Sequence, residues 1–226
     1  MATPQHLVDV FLYFFEACAH SLLHARGVYP ASFFEPRAIY AVLSAPMLRH
    51  PELCDGIGAL LSSLRPLLLR NVVECVLLVL LDPAGRALEQ YAFAVDTNAG
   101  GGGGGGGGAT QAEAESQLGA ALLMLQQRAR ARAPLPPDCT FTVQLRTHGP
   151  LEGLPVGLPL WACVAPGDAG ALGGGAAGGS SDGGGGGGGS AAGAGAAAAT
   201  LRRRPLKAVQ LGPLAMEIFV EEELPG

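Results

Sequence analysis

His20 and His24 stand four residues apart, a spacing at which one helix face can grip a metal ion. No third ligand accompanies them and they lie off the apolar stripe of their segment, so two solvated or hydrogen-bonding histidines are expected. Nine consecutive glycines, residues 100–108, satisfy GxGxxG in several registers. A phosphate-binding turn needs glycines at defined places and an acidic residue about twenty positions on, whereas a glycine homopolymer has no defined shape. No lysine lies near either glycine-rich tract, which excludes a Walker-type loop. Glu52 and Asp55 share a helical face, but nothing marks them as an acid–base pair. His50 before Pro51 reads as a helix cap, and Glu221, Glu222 and Glu223 as a solvated chain end. There is no GxSxG and no HExxH motif. No catalytic constellation, metal site or cofactor site is expected. The side chain that stands out is Trp161, the only tryptophan. It is either a core anchor or an aromatic wall for a bound proline-rich segment.

Composition narrows the classes further. The chain has 226 residues, and nine of its 35 glycines fall in residues 97–110 and sixteen in residues 166–200. The remainder has ordinary glycine content, so the expectation is one globular domain carrying two flexible insertions. The net charge is −5, with Lys207 the sole lysine. Binding nucleic acid by phosphate neutralisation would favour a basic surplus, so no direct nucleic-acid role is expected. Only Arg128/Arg130/Arg132 and Arg202–Arg204/Lys207 cluster, the latter resembling a weak nuclear-import signal. The five cysteines form no CxxC pair and suit free thiols in a reducing compartment. The first residues lack a basic n-region and a cleavage site, and the longest uninterrupted apolar run is far too short for a bilayer. A soluble, intracellular protein with no membrane role is expected.

These residues need elements to position them. Thr3-Pro4 is a helix start, and apolar side chains from Leu7 to Leu23 keep helical period up to Gly27. Residues 29–47 read as irregular with a short hairpin. A second helix begins at Pro51, with Pro66 expected to kink or shorten its last turn. Residues 72–81 form a buried central strand, Asp82-Pro83-Ala84-Gly85 a type I turn and residues 87–95 the returning strand. Thr110 and Glu113 make a capping box for a third helix running to about Arg132. In residues 139–147, Cys139, Phe141, Val143 and Leu145 take one face and Thr140, Thr142, Gln144 and Arg146 the other, a half-buried strand. Two short strands, 208–211 and 215–222, close the chain. The fold class is α+β, a small antiparallel sheet with helices on one face.

Several stretches in this order resemble the HORMA-domain family: Ala25-Arg26-Gly27-Val28-Tyr29-Pro30 with Phe33/Phe34, His50-Pro51-Glu52-Leu53, Arg65-Pro66-Leu67-Leu68, residues 72–82, Cys139-Thr140-Phe141-Thr142-Val143 and Ile218-Phe219-Val220-Glu221-Glu222. Within that family the likeness is to the mitotic-arrest-deficient-like accessory subunit of the translesion DNA polymerase zeta. The resemblance implies a HORMA domain over residues 1–226, with three helices on a small antiparallel sheet and a core at 3–148. It implies a flexible glycine loop at 97–110 and a C-terminal safety belt at 149–226 carrying a low-complexity insertion at 166–200. It further implies a nuclear, non-catalytic adaptor in DNA damage tolerance. A partner peptide from the polymerase's catalytic subunit would pair with the 139–147 strand under the belt, against Trp161, Phe141, Tyr29 and Val143. A second surface at Phe219, Glu217 and Arg203 would receive the scaffold deoxycytidyl transferase. Gly56 stands where the family has a tyrosine facing the tryptophan, and Tyr29 or Tyr40 would substitute. Gly119 stands near an arginine that the family uses for self-association. The alternatives are a spindle-checkpoint or meiotic-axis adaptor of the same fold, or an enzyme of another class.

Overall fold

A computed structural model describes residues 3–40, 42–96, 110–149, 162–164, 201–211 and 213–223. Helix α1 (Pro4–Ala25) starts where Thr3 Oγ1 accepts the His6 N–H at 3.3 Å, and it ends before Gly27, whose φ of +67° a side chain would resist. Its Gln5–Ala25 stretch is long and apolar enough to cross a bilayer. Leu7, Phe11, Phe14, Phe15, Leu22 and Leu23 are nevertheless buried in the protein core. After a 3-10 turn at Ala31–Phe33 come β1 (Phe34–Ile39) and β2 (Val42–Leu48), the expected short hairpin.

Helix α2 (Pro51–Leu69) runs through Pro66 and does not stop there. The bond that Pro66 cannot make would go to Ser62, and both residues are exposed, so water can satisfy the freed carbonyl. His50 holds the N-cap position, but its side chain makes no cap hydrogen bond and stacks on Phe33. Strands β3 (Val73–Leu81) and β4 (Ala87–Asp96) form the expected hairpin, with Asp82 Oδ1 accepting the Ala84 and Arg86 N–H groups at 2.9 Å. Helix α3 (Gln111–Arg130) opens on the Thr110–Glu113 capping box. It is followed by β5 (Thr140–Thr147), β6 (Ala162–Val164), β7 (Leu201–Leu211) and β8 (Leu214–Glu223).

The main sheet has the order β6-β5-β3-β4-β8-β7, antiparallel except between β5 and β6. Val76, Leu78 and Leu80 of β3, Tyr91 and Phe93 of β4, and Met216, Ile218 and Val220 of β8 face the three helices in one core. Cys75, Leu77, Val79, Ala92 and Phe219 form a smaller cluster on the opposite face. Burial pushes the Cys75 thiol up to about 12, and Cys18, Cys75 and Cys139 are free and buried, as the composition suggested.

Four sequence expectations give way. Strand β7 begins at Leu201, seven residues before the expected 208, and Arg203 within it opposes and binds Glu221 of β8. The run read as an import signal is therefore part of a strand. Glu221 is not a solvated end; it is 2% exposed and bound by Arg146 and Arg203. That pairing, across 75 residues of sequence, also buries Arg146 on the β5 face expected to meet water. His20 is not solvated either, while His24 is half-buried. His20 is 2% exposed and neither ring nitrogen has a partner, while His24 packs edge-on against Phe34.

Arg26, at the C-cap of α1, forks onto Glu89 of β4 with Nε and Nη2 at 3.0 and 2.8 Å, and its Nη1 donates to the Ala129 carbonyl at 2.9 Å. Arg132, just past α3, donates to the same carboxylate at 2.8 Å, and the Tyr91 hydroxyl donates to it at 2.7 Å. One buried anion thus joins α1, β4 and the end of α3.

Two predictions follow from these buried groups. Removing one partner of such an ion cluster strands the others without compensation, so Glu89→Gln should lower the free energy of urea unfolding by about 3–5 kcal/mol. Burial, and secondarily the Arg37 charge, pull His20 from 6.5 down to about 4. The folded state then binds fewer protons than the unfolded chain. The stability contribution is complete above 6.5 and is lost as pH falls toward 4, on the order of 3 kcal/mol. His20→Leu should flatten that part of the pH–stability curve.

Candidate functional site

The site is built on an edge strand. Strand β5 gives one side to β3 along its whole length. On its other side β6 pairs in parallel with Gln144, Leu145 and Arg146 alone. Among the described residues no strand pairs with the outer edge of residues 140–143. An open edge carries unpaired backbone N–H and C=O groups, ready to bond an extended chain.

Aromatic side chains flank this open stretch. Phe141 meets Tyr29 edge-on at 6.3 Å, Tyr29 stacks on Phe33 at 6.4 Å, and Phe33 stacks on the His50 imidazole at 4.6 Å. The row runs from β5, through the turn after α1, to the N-terminus of α2. All four residues are only partly buried, so they offer ring surface as well as packing. Burial raises the Tyr29 hydroxyl above its usual range, while a hydrogen bond with the Thr140 side chain acts the other way. The local sequence explains the placement. Gly27 turns the chain back after α1, Val28 N–H bonds the Leu23 carbonyl at 3.0 Å, and Pro30 opens the 3-10 turn that carries Phe33. Gly56 on α2 is exposed, and an added Cβ there would touch nothing within 4 Å. The space for a larger side chain is open there.

The expected binding residues divide. Tyr29 and Phe141 come together at the open edge. Val143 is 2% exposed within the helix-facing core, so it brings only its backbone to the edge. Its alternation with Phe141 and Leu145 points its side chain toward the helices. Trp161 lies outside the described residues, as do both glycine tracts. Tyr40 packs on Tyr13 and Phe14, not on the aromatic row. Its carbonyl oxygen would sit 2.2 Å from a Cβ at Gly119, so the β1–β2 tip occupies the space that an arginine there would need. Sequence reasoning did not single out Phe33 or His50 as site residues. The signal was the density of aromatic residues after Gly27.

The C-terminal third touches both margins of the sheet: β6 lies on the β5 edge and the β7–β8 hairpin on the β4 edge. On the face away from the helices, Arg146 of β5 reaches Glu221 of β8 at 3.4 Å, and Arg203 reaches it at 2.9 Å. The residues expected to form a second partner surface flank this cluster. Phe219 is 7% exposed, with the Arg203 guanidinium 5.0 Å above its ring, whereas Glu217 and Arg203 themselves are exposed. Among the described residues no group of histidine, cysteine and acidic side chains could hold a metal.

Solved structures share this architecture. A chain of the Mitotic Checkpoint Complex superposes with a TM-score of 0.67 at 17% identity, over 96% of this chain and 99% of that one. Caenorhabditis elegans HTP-1 bound to a HIM-3 closure motif gives 0.64 at 13% identity, over 99% and 92%. The chain has the HORMA fold. At the sequence level this HORMA chain is similar to the Mitotic spindle assembly checkpoint protein MAD2B. The Homo sapiens protein is 38% identical over 91 residues, which are 40% of this chain and 43% of the relative. The Danio rerio protein is 30% identical over the same shares. The matched stretch spans less than half the length of these relatives. No protein-family model matches the chain.

The Glu221 cluster generates a prediction. In Glu221→Gln two arginines lose their shared anion, one of them buried, and unfolding stability should fall by about 3 kcal/mol. The double variant Glu221→Leu with Arg146→Leu should recover most of that loss in a thermal melt, since no charge is then left buried opposite Arg203's exposed side.

Proposed function

We propose that this chain is a non-catalytic HORMA adaptor that captures an extended partner peptide on the outer edge of β5. The observation that carries the reading is the edge at residues 140–143 beside Phe141 and Tyr29, where among the described residues no strand pairs and β6 pairs only residues 144–146 of the same strand. A peptide strand would bond the β5 backbone there, and its side chains would meet the aromatic row. The C-terminal segment from about residue 149 closes over the peptide as a belt. Such closure slows escape more than it strengthens contact, and a long flexible insertion costs little, because loop entropy grows only with the logarithm of length. Support comes from HTP-1 and HTP-2, HORMA-fold proteins solved bound to closure motifs.

The partner assigned to this edge is a proline-containing segment of the catalytic subunit of DNA polymerase zeta. A scaffold deoxycytidyl transferase engages the Glu217/Arg203 side of the β7–β8 hairpin, the adaptor acts in the nucleus in DNA damage tolerance, and it does not grip nucleic acid itself. Self-association through the Gly119 face would require the β1–β2 tip to move. A second reading, a spindle-checkpoint or meiotic-axis adaptor, is favoured by the name of the MAD2B relatives and by the Mitotic Checkpoint Complex likeness.

The test is co-purification of the full chain with a peptide from the polymerase zeta catalytic subunit. Wild type should retain it. Trp161→Ala and Phe141→Ala should each weaken it by about ten-fold or more, as loss of an aromatic anchor does. Retention of checkpoint or axis proteins in its place would transfer the assignment to the second reading, and retention of neither class would end it.

A further inference from the structure

On the face away from the helices, one end of the sheet turns small and acidic. Val95, Met216 and Val209 belong to the helix-facing core. Their neighbours Ala94 and Asp96 on β4, Ala215 and Glu217 on β8, and Ala208 and Gln210 on β7 therefore stand on the opposite face. The register sets them in two rows, Ala94–Glu217–Ala208 and Asp96–Ala215–Gln210. Alanines stand in this patch where longer side chains would fill the space, and a cavity of about 770 Å³ opens there. Gln117 of α3 lines it from the sheet's margin, with its Oε1 accepting the Gln210 N–H at 3.2 Å.

A bulge adds a third carboxylate. The β3–β5 register shifts between Val73 and Cys75. Val73 packs into the helix-facing core and Cys75 into the cluster on the other face. The residue between them, Glu74, lines the trough. Glu74, Asp96 and Glu217 thus share it, and among its described lining residues there is no lysine or arginine, only His148. Neither Glu74 nor Glu217 has an ion-pair partner among the described residues. The segments 97–109, 150–161 and 165–200 contain no lysine, arginine or histidine that could neutralise them. Arg146 and Arg203, on the same face of the sheet, both bind Glu221, four residues or about 13 Å along β8 from Glu217. The negative excess is one of formal charge, and it stands whatever hydrogen bonds Asp96 makes.

We propose that this alanine-floored trough is a docking site for an arginine- or lysine-bearing peptide segment of a partner protein. It includes Glu217, so it deepens the second partner surface proposed above and rests on that reading for the partner's identity; the charge chemistry rests on the trough alone. The chemistry selects the occupant. Nucleic acid is repelled by the carboxylates. Among the described residues no group of histidine, cysteine and acidic side chains could hold a metal. A second copy of this chain carries the same net charge of −5 and is disfavoured at long range. A cationic segment matches both parts of the site. Its aliphatic stems lie on the alanine floor, and its charged heads reach the rim carboxylates.

The experiment is fluorescence anisotropy on the full chain with a labelled peptide of about ten residues alternating arginine and alanine, compared with its glutamine–alanine counterpart. The arginine peptide should bind better and weaken as salt rises. Glu74→Gln with Glu217→Gln should weaken it about ten-fold. Ala208→Phe, at an exposed floor position, should weaken it several-fold with no change of charge, an effect that diffuse attraction to an acidic protein cannot give. Thermal melts check that the variants stay folded, and Ala208→Leu decides if the phenylalanine unfolds the chain. Equal binding of the two peptides would overturn the proposal. So would unchanged binding by the folded carboxylate pair or the folded floor variant, or self-association of the chain that depends on the same carboxylates. Binding of the arginine peptide by a chain that retains no polymerase or scaffold partner would uphold the trough and sink only the partner's identity.

Discussion

Glu89 is one carboxylate on which three side chains converge, and the proposed peptide edge at β5 depends on its place. Arg26 fixes the end of α1 against it, and the Gly27 turn that follows leads directly to Tyr29 and Phe33. The aromatic row beside β5 therefore stands where it does because α1 ends where Glu89 holds it. Arg132 fixes the end of α3 against the same anion, and that end lines a cleft with Arg204, Pro205 and Leu206 of β7. A buried anion costs several kcal/mol to desolvate, and only a full set of donors offsets that cost. Here Glu89 has two guanidinium groups and the Tyr91 hydroxyl. The carboxylate specifies how the helices meet the sheet more than it adds net stability.

The sheet turns this frame into two margins with different chemistry. On the β5 side the edge is lined by aromatic rings and is partly taken by β6. On the β7 side it is basic and follows a strand that ends the sheet. The Arg146–Glu221–Arg203 cluster crosses the face between them. It ties the strand that would receive a peptide to the hairpin on the opposite margin, so loosening of one bears on the other.

Much of this was legible in the residues. Thr3-Pro4, the Thr110–Glu113 box and the period of residues 7–23 named the helices, because caps and apolar stripes are local signals. The β3–β4 hairpin followed from its turn chemistry. What the sequence hid was long-range. Alternation placed Gln144 and Arg146 toward water, since no local pattern reveals that Glu221 lies across the sheet. The start of β7 was misplaced because an arginine-rich run with a proline looks like a tail until its acidic partner strand is known. Arg26 and Glu89, 63 residues apart, carried no local mark of their pairing. Tyr29 and Phe141 were named from the resemblance and lie in contact at the β5 margin, whereas the side chain of Val143, named with them, belongs to the core. Phe141 and Val143 share one face of β5, so alternation cannot separate them; only the packed structure shows that Val143 is enclosed while Phe141, near the strand's start, stays half-buried.

The most direct examination of the central claim is amide hydrogen exchange along β5, residue by residue, with and without a captured peptide. The account predicts that outward-facing amides among residues 140–143 exchange readily in the free protein and become strongly protected in the complex, while β3 amides change little. Protection of that stretch already complete in the free chain, or unaltered when a peptide is bound, would contradict it.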